Sequence, residues 1–259
     1  MKDWRLFSSA DMVNWQHHGT PMGLPTFSWA DINAWAGQIT ARNGKFYYYV
    51  PVRHKQTGTM AIGVSISDNI TGPYKDALGH PLVENSAIEP TVYIDENGQA
   101  YLYWGKPSLW YVKLNQDMIS YSGSVTQVQL IVGGFGKPNT GSSAVSSSDE
   151  ALWVYKRNGL YCMHHWTLDV QRGHHVDAGC QLYQSPRNYR FGGRSYLFYH
   201  NGAFPGGSGY TRSVAVEEFI CNSDGTIPQI TMTTGGPKKI GTLDPYTARK
   251  RRRSLGPAA

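Results

Sequence analysis

Four times in 259 residues a glycine-containing turn runs straight into a string of aromatic and apolar residues. The first is Arg42-Asn43-Gly44-Lys45-Phe46-Tyr47-Tyr48-Tyr49-Val50, and the second is Glu96-Asn97-Gly98-Gln99-Ala100-Tyr101-Leu102-Tyr103-Trp104. The third is Arg157-Asn158-Gly159-Leu160-Tyr161-Cys162-Met163, and the fourth is Phe191-Gly192-Gly193-Arg194-Ser195-Tyr196-Leu197-Phe198-Tyr199. Asn-Gly and Gly-Gly between such runs predict tight two-residue hairpins, because both central residues must take a positive φ. The turns at Asn43 and Asn97 lie 54 residues apart, those at Asn97 and Asn158 lie 61 apart, and Gly192 follows after only 34.

A second unit keeps a similar step. Ser9-Ala10-Asp11-Met12-Val13-Asn14-Trp15, Ser67-Asp68-Asn69-Ile70-Thr71-Gly72-Pro73-Tyr74 and Asn115-Gln116-Asp117-Met118-Ile119-Ser120 have aspartates 57 and 49 residues apart. A period of about 50–60 residues with about four short strands describes a β-propeller blade. The expected fold is therefore all-β, a propeller with about four blades visible. A sandwich of short strands is the alternative, but it would not repeat at this period.

Composition agrees. Aromatics make up 13% of the chain, charged residues only 16%, and there are 29 glycines and 14 prolines. No apolar run approaches the roughly 18 residues of a membrane helix, so no membrane is expected as a partner. Three cysteines, Cys162, Cys180 and Cys221, are too few for a disulfide scaffold. The net charge of +6 depends on one run, Arg249-Lys250-Arg251-Arg252-Arg253; without it 19 basic residues face 18 acidic ones. A basic tail with no interleaved aromatics is a poor nucleic-acid site, so no nucleic-acid partner is expected. Residues 247–259 read as a disordered basic tail on a single domain spanning 1–246.

Two stretches break the pattern. Residues 137–149 are small and polar, and read as a loop. Residues 164–190 hold His164, His165, His174 and His175. Adjacent residues of a strand point to opposite faces, so contiguous histidines do not converge on a metal. No metal site is expected.

Several long segments resemble glycoside hydrolase family 43, and within it the bacterial arabinoxylan arabinofuranohydrolases. They include Met1–Trp15, Phe27-Ser28-Trp29-Ala30-Asp31, Asn33-Ala34-Trp35-Ala36-Gly37-Gln38 and Tyr49-Val50-Pro51-Val52-Arg53-His54. Others are Ile88-Glu89-Pro90-Thr91-Val92-Tyr93-Ile94-Asp95, Tyr101-Leu102-Tyr103-Trp104-Gly105, Trp153–Gly159, Tyr199-His200-Asn201-Gly202-Ala203 and Thr211-Arg212-Ser213. The similarity covers about residues 1–135, 150–163 and 192–246. It implies a five-bladed propeller, here an incomplete copy lacking its first blade.

The resemblance also implies inverting hydrolysis of O-glycosyl bonds, most simply removal of arabinofuranosyl side chains from arabinoxylan or its oligosaccharides. One carboxylic acid protonates the leaving oxygen, a second carboxylate activates water, and a third tunes the acid. Glu150, in Glu150-Ala151-Leu152-Trp153, matches the general acid; a solvated loop carboxylate is its other reading. Glu89 matches the pKa-modulating position, where the family carries Asp, and its extra methylene displaces the carboxylate by about a bond length. The general base lies ahead of the Lys-Asp-Trp stretch in the family, so no residue from Met1 onward matches it and turnover is expected to be slow.

Trp29 and Trp35 match positions near the sugar, with core packing as the other reading. Trp104 either walls the pocket or packs between blades. Asn201 and Arg212 match positions that contact substrate or the modulating carboxylate. The family's cation-linked histidine has no counterpart in Ser185–Arg190, so neither calcium nor any other cofactor is expected. Relatives are secreted, although Met1 is followed by no signal peptide. The segment Ile240–Tyr246 resembles a linker to a family 6 carbohydrate-binding module that does not follow here. A catalytically inactive carbohydrate-binding propeller, or a non-functional gene fragment, is the alternative.

Overall fold

The computed structural model describes residues 2–86, 88–105, 108–129, 150–157, 160–166, 194–201, 205–207, 213–220, 230, 233 and 235–239. Apart from one turn of 3₁₀ helix at Leu24–Thr26, the regular elements among the described residues are strands. The stretch 137–149, the histidines His174 and His175, and the tail 247–259 lie outside them.

Two four-stranded antiparallel sheets dominate. The first contains β5 (Gln38–Arg42), β6 (Lys45–Arg53), β7 (Met60–Ser67) and β8 (Lys75–Asp76), in chain order. The second contains β9 (Thr91–Ile94), β10 (Ala100–Trp104), β11 (Trp110–Leu114) and β12 (Tyr121–Gln127), also in chain order. Two hairpin sheets follow, β13 (Glu150–Arg157) with β14 (Leu160–Trp166) and β15 (Ser195–Asn201) with β16 (Ser213–Phe219). Near the N-terminus β1 (Asp3–Trp4) pairs with β4 (Met22–Gly23), and β2 (Phe7–Ser8) pairs with β3 (Gln16–His17). A chain that meanders through each sheet before moving to the next builds a propeller.

The turns explain themselves locally. Asn43 and Gly44 have φ of 52° and 75°, and Arg42 pairs with Lys45, which is the expected two-residue hairpin. The second turn differs. Asp95 N–H donates to Gln99 and Gly98 N–H to Asp95, and only Gly98 takes a positive φ of 81°. It is a three-residue loop closed by a glycine, in which Asn97 keeps an ordinary conformation. In the third hairpin Arg157 pairs with Leu160 around residues 158–159, which lie outside the described set, as do residues 191–193 of the fourth.

The aromatic runs are continuous because each blade is buried on both faces. Tyr47, Tyr49, Ile62 and Val64 join Val92, Leu102, Trp104 and Met118 in one core cluster between the two four-stranded sheets. The intervening residues, Val50, Val52 and Ala61, turn the other way and join Trp4, Met22, Phe27 and Trp29. One strand thus feeds two cores, as its period of two residues requires.

The second repeated unit is a plug. Asp117 accepts the backbone N–H groups of Ile119 and Ser120, and Met118 at φ 64° is driven into the core with no exposed surface. Its carbonyl receives the Tyr49 hydroxyl of the preceding blade at 2.5 Å. Asp11 does the same with Val13 and Asn14, and these bonds hold its carboxyl well below the usual range. Met12, again at φ 64°, packs against Tyr196 and Val216, and Trp15 meets Phe198 edge-on at 5.9 Å. The N-terminal turn therefore stands to β15–β16 as the Met118 turn stands to β5–β8. In place of a full first blade, residues 3–23 form two short two-stranded sheets, packed through Trp4 and Met22 on the first four-stranded blade and through Met12 on the last sheet.

Met118→Ala and Met12→Ala should each destabilise the protein, by about 2–5 kcal/mol for a buried Met. Urea denaturation measures this. A Met12→Ala change within about 0.5 kcal/mol of the parent, the range of an ordinary surface substitution, would show that the N-terminal turn is not docked.

Candidate active site

In both four-stranded sheets the chain enters at an inner strand, turns at the far end, and returns. It then crosses from the outer edge of one blade to the inner strand of the next. Strands β5, β9 and β13 lie side by side, β9 being in contact with both of the others. The Gln38 side chain accepts Val92 N–H at 2.6 Å and donates to the Val92 carbonyl at 3.3 Å, tying β5 to β9.

At the far end, Lys156 reaches Asp95 at 3.4 Å and Glu96 at 3.1 Å, and Tyr161 donates to Asp95. These bonds hold the Asp95 carboxyl below its usual range and raise the Lys156 ammonium. Lys156 and Asp95 are 61 residues apart. Glu150 and Glu89 are separated by the same 61 residues, and each precedes its partner in that contact by six. The contact sets Lys156 beside Asp95, so the backbones of Glu89 and Glu150, each six residues earlier, stand toward the same, opposite end of the propeller, with a register shift in β13 between Glu150 and Trp153. About 20 Å of strand separates them from the Lys156 contact at 3.3 Å per residue.

Glu89 sits two residues before β9 with φ at 55°. A left-handed conformation is uncommon for Glu and more readily tolerated by Asp. Glu150 opens β13 opposite Trp166, and its position is fixed here by backbone alone. Trp35 holds the corresponding entry to β5. Its backbone is tied by the Trp4 indole N–H at 2.7 Å and by its own N–H to Pro51, while its ring is 38% exposed. These three entries share one end of the propeller.

The other two tryptophans do not present their rings. Trp29 is 6% exposed, packed against Phe27 and edge-on to His54, with its N–H donated to Asp76 at 2.9 Å. Trp104 is 0% exposed, lies on β10 and not on an inner strand, and donates to Asn85 at 2.7 Å. A ring without free surface cannot stack on a sugar, so these two belong to the core. Asn201 closes β15 opposite Ser213 and is placed by backbone alone, while Arg212 lies outside the described residues. Among the described residues no group of three His, Cys, Asp or Glu is arranged to hold a metal ion. Nor is any helix among them long and apolar enough to cross a membrane.

Sequence reasoning missed a polar cluster at the same end. Glu84 accepts from His54 at 2.9 Å, Thr59 at 2.6 Å and Thr57, and beside it Arg53 clasps Asp31. The hydroxyls of Thr57 and Thr59, and then His54, push the Glu84 carboxyl down to about 2. Only the presence of Arg53-His54 within a family-like segment hinted at it.

Comparison with known proteins places these features. The profile of glycosyl hydrolases family 43 matches residues 1–188. A xylosidase/arabinosidase 43A from Humicola insolens is 26% identical over 88% of this chain and 85% of its own length. An arabinoxylan arabinofuranohydrolase from Bacillus subtilis (strain 168) is 26% identical, over 93% of this chain and 57% of its own. The crystal structure of an α-L-arabinofuranosidase from Clostridium thermocellum superimposes with a TM-score of 0.66 at 30% identity, covering 92% of this chain and 85% of that one. The chain belongs to glycosyl hydrolases family 43, and its fold is the β-propeller of that family, with part of the blade count present among the described residues.

Two outcomes follow from the geometry. Glu89→Asp should raise the unfolding free energy by several tenths of a kcal/mol, while the β-branched Glu89→Val should lower it by about 1–2 kcal/mol; equal stability of the two would remove the strain. Glu84 titrates lower folded than unfolded, so its contribution is fully present above the ordinary range near 4.3 and is lost as pH falls toward 2. Glu84→Gln should therefore flatten the acid limb of the stability-against-pH curve, and an unchanged limb would contradict the network.

Proposed function

We propose that this member of glycosyl hydrolases family 43 cleaves pentosyl O-glycosyl bonds of arabinoxylan by inversion, removing arabinofuranosyl side chains. The observation that carries the reading is the shared 61-residue step. Lys156 meets Asp95 at that separation, which supports bringing the entries of β9 and β13, with Glu89 and Glu150, to one end of the propeller. The names of the relatives support a pentose substrate: xylosidase/arabinosidase and arabinoxylan arabinofuranohydrolase.

In this mechanism Glu150 stands protonated beside the glycosidic oxygen and gives up its proton as the bond breaks. Glu89, still ionised, disfavours early loss of that proton through like-charge repulsion. Water attacks from the other face, helped by a base carboxylate about 6.5–9.5 Å from the acid. The family resemblance puts that base ahead of Met1. Trp35 offers an apolar ring face to the sugar, and the family resemblance gives Asn201 and Arg212 contacts to substrate or to the modulating carboxylate. We assign residues 1–246 to the catalytic propeller and 247–259 to a basic tail. A cell-wall polysaccharide is met outside the cell, which supports an extracellular site of action.

The test uses two substrates. Glu150→Gln should lower pentose release from arabinoxylan by about 10²–10⁴-fold. It should do far less to a 4-nitrophenyl arabinofuranoside, whose phenolate leaves without a proton. The polypeptide Met1–Ala259 should itself turn over about 10²–10⁴-fold below a version extended upstream with a base carboxylate. Azide, a nucleophile with no proton to lose, should restore part of that rate and give an inverted glycosyl azide. Equal losses on both substrates would remove Glu150 as the acid. Xylotriose binding without cleavage in either version would establish the carbohydrate-binding alternative.

A further inference from the structure

The loop that delivers Glu89 is tied down on both sides. It leaves the first four-stranded blade at Val83, which pairs with Ile62, and reaches β9 at Thr91. Residue 87 lies outside the described set, and three of the others are held by name. The Glu84 carboxylate takes His54 Nδ1 at 2.9 and 3.0 Å and the hydroxyls of Thr57 and Thr59. Asn85 Oδ1 accepts the Trp104 indole N–H at 2.7 Å. The Ile88 carbonyl accepts Gly105 N–H at 2.9 Å.

The donors are themselves rigid. His54 N–H donates to the Thr59 carbonyl and the His54 carbonyl accepts Gly58 N–H, both at 2.9 Å. Its ring stands edge-on to Trp29 at 5.7 Å, and Trp29 is fixed by Asp76. Trp104 is wholly buried. Gly105 has φ of 131°, and a Cβ there would fall 1.9 Å from the Ser108 carbonyl oxygen, so no other residue can present that N–H. The first tie belongs to the blade before the loop and the other two to the blade after it. Directly after the third comes Glu89 at φ 55°. A strained backbone conformation persists only where its surroundings over-determine it.

We propose that His54, Glu84 and Trp104 are positioning residues, which act through the 84–88 loop to hold the Glu89 carboxylate in its place relative to the opening. The inference rests on the reading of Glu89 as the carboxylate that tunes the acid. Trp104, read from the sequence as a pocket wall or as packing between blades, acts here from inside the core. Glu carries one methylene more than the Asp usual at this position and has more ways to miss, so the loop that carries it must be held closely. A displacement of 1 Å at such a group costs about 10²-fold in rate.

The test reads the Glu89 carboxyl directly, without needing turnover. Protein labelled with ¹³C at glutamate Cδ gives one line per glutamate, and Glu89→Gln identifies the Glu89 line by its loss. Glu84→Ala should shift that line or split it in two. Trp104→Phe keeps the buried ring and deletes the N–H, and it should do the same. Glu84→Gln, which keeps the hydroxyl contacts, should return the line most of the way. Lys45→Ala, which breaks an exposed pair with Asp68, should leave it alone. On arabinoxylan, Glu84→Ala should lower kcat about 10²-fold with KM little changed, and it should do far less to a 4-nitrophenyl arabinofuranoside, which needs no proton from the acid. An unmoved Glu89 line in both Glu84→Ala and Trp104→Phe, whatever happens to their melting temperatures, overturns the proposal. A line that moves in both variants but ignores added L-arabinose and xylotriose overturns instead the placing of Glu89 in the sugar site.

Discussion

A sheet that is apolar on both faces must be covered twice. In the first four-stranded blade the residues of β6 and β7 alternate between two cores. One is shared with β9–β12, and the other is shared with the N-terminal residues Trp4, Met22, Phe27 and Trp29. No such sheet is stable alone, because each exposed face would leave several large side chains in water at about 1.5–3 kcal/mol each. Stacking sheets face to face meets the need at every blade except the two ends of the row. The ends meet when the row bends into a ring. The Met12 turn against Tyr196 and Val216 is that meeting.

The ring turns inner strands into neighbours, and one ion-pair cluster fixes their phase. If β13 slid by one residue against β9, Lys156 would lose Asp95 and Glu96 and point the wrong way, and Tyr161 would lose its acceptor. Glu96 and Tyr161 are open to water while Lys156 and Asp95 are largely covered, so the exposed Lys156–Glu96 arm adds little to stability. The consequence of the cluster is geometric. Because the strands are short, the contact at the turn end also fixes which end of its strand each of Glu89 and Glu150 occupies, while an irregularity in β13 between Glu150 and Trp153 sets the last step of Glu150.

The parts legible in the sequence were those controlled by near neighbours. Asn43-Gly44 announces its hairpin because two adjacent residues need positive φ, and the aromatic runs announce strands because strand burial has a two-residue period. The same local reasoning overextended at Asn97-Gly98, where one more residue joins the loop and only the glycine leaves the ordinary region. It left Trp104 undecided. Ending an apolar strand is compatible with a pocket wall or a core, and only the blade packed against β10 decides between them. The Glu84 cluster joins residues 25 to 30 positions apart, across a loop and a blade edge, and no spacing in the sequence foretells it. Resemblance carried the identities of Glu150 and Glu89 further than periodicity could, since a carboxylate at a strand entry has no pattern of its own.

The two ends of the propeller differ for a reason that bears on chemistry. At the turn end β5 and β9 are joined to β6 and β10 by two or three residues, in a conformation set by glycine. Little can vary there without undoing the hairpin. At the entry end the chain must travel from the rim of one blade to the axis of the next, and that crossing is longer and irregular. Its shape is set by side-chain hydrogen bonds more than by backbone pairing. Glu89 and Trp35 arrive on such crossings, and Glu150 stands at the matching entry. Residues at this end can change without dismantling a blade, whereas their exact placing depends on contacts such as Glu84 with His54 and Asn85 with Trp104. The exchange of Asp for Glu at position 89 is a change of that kind. The β9 strand does not register it, and the cost falls on the backbone at φ 55° and on the reach of one carboxylate.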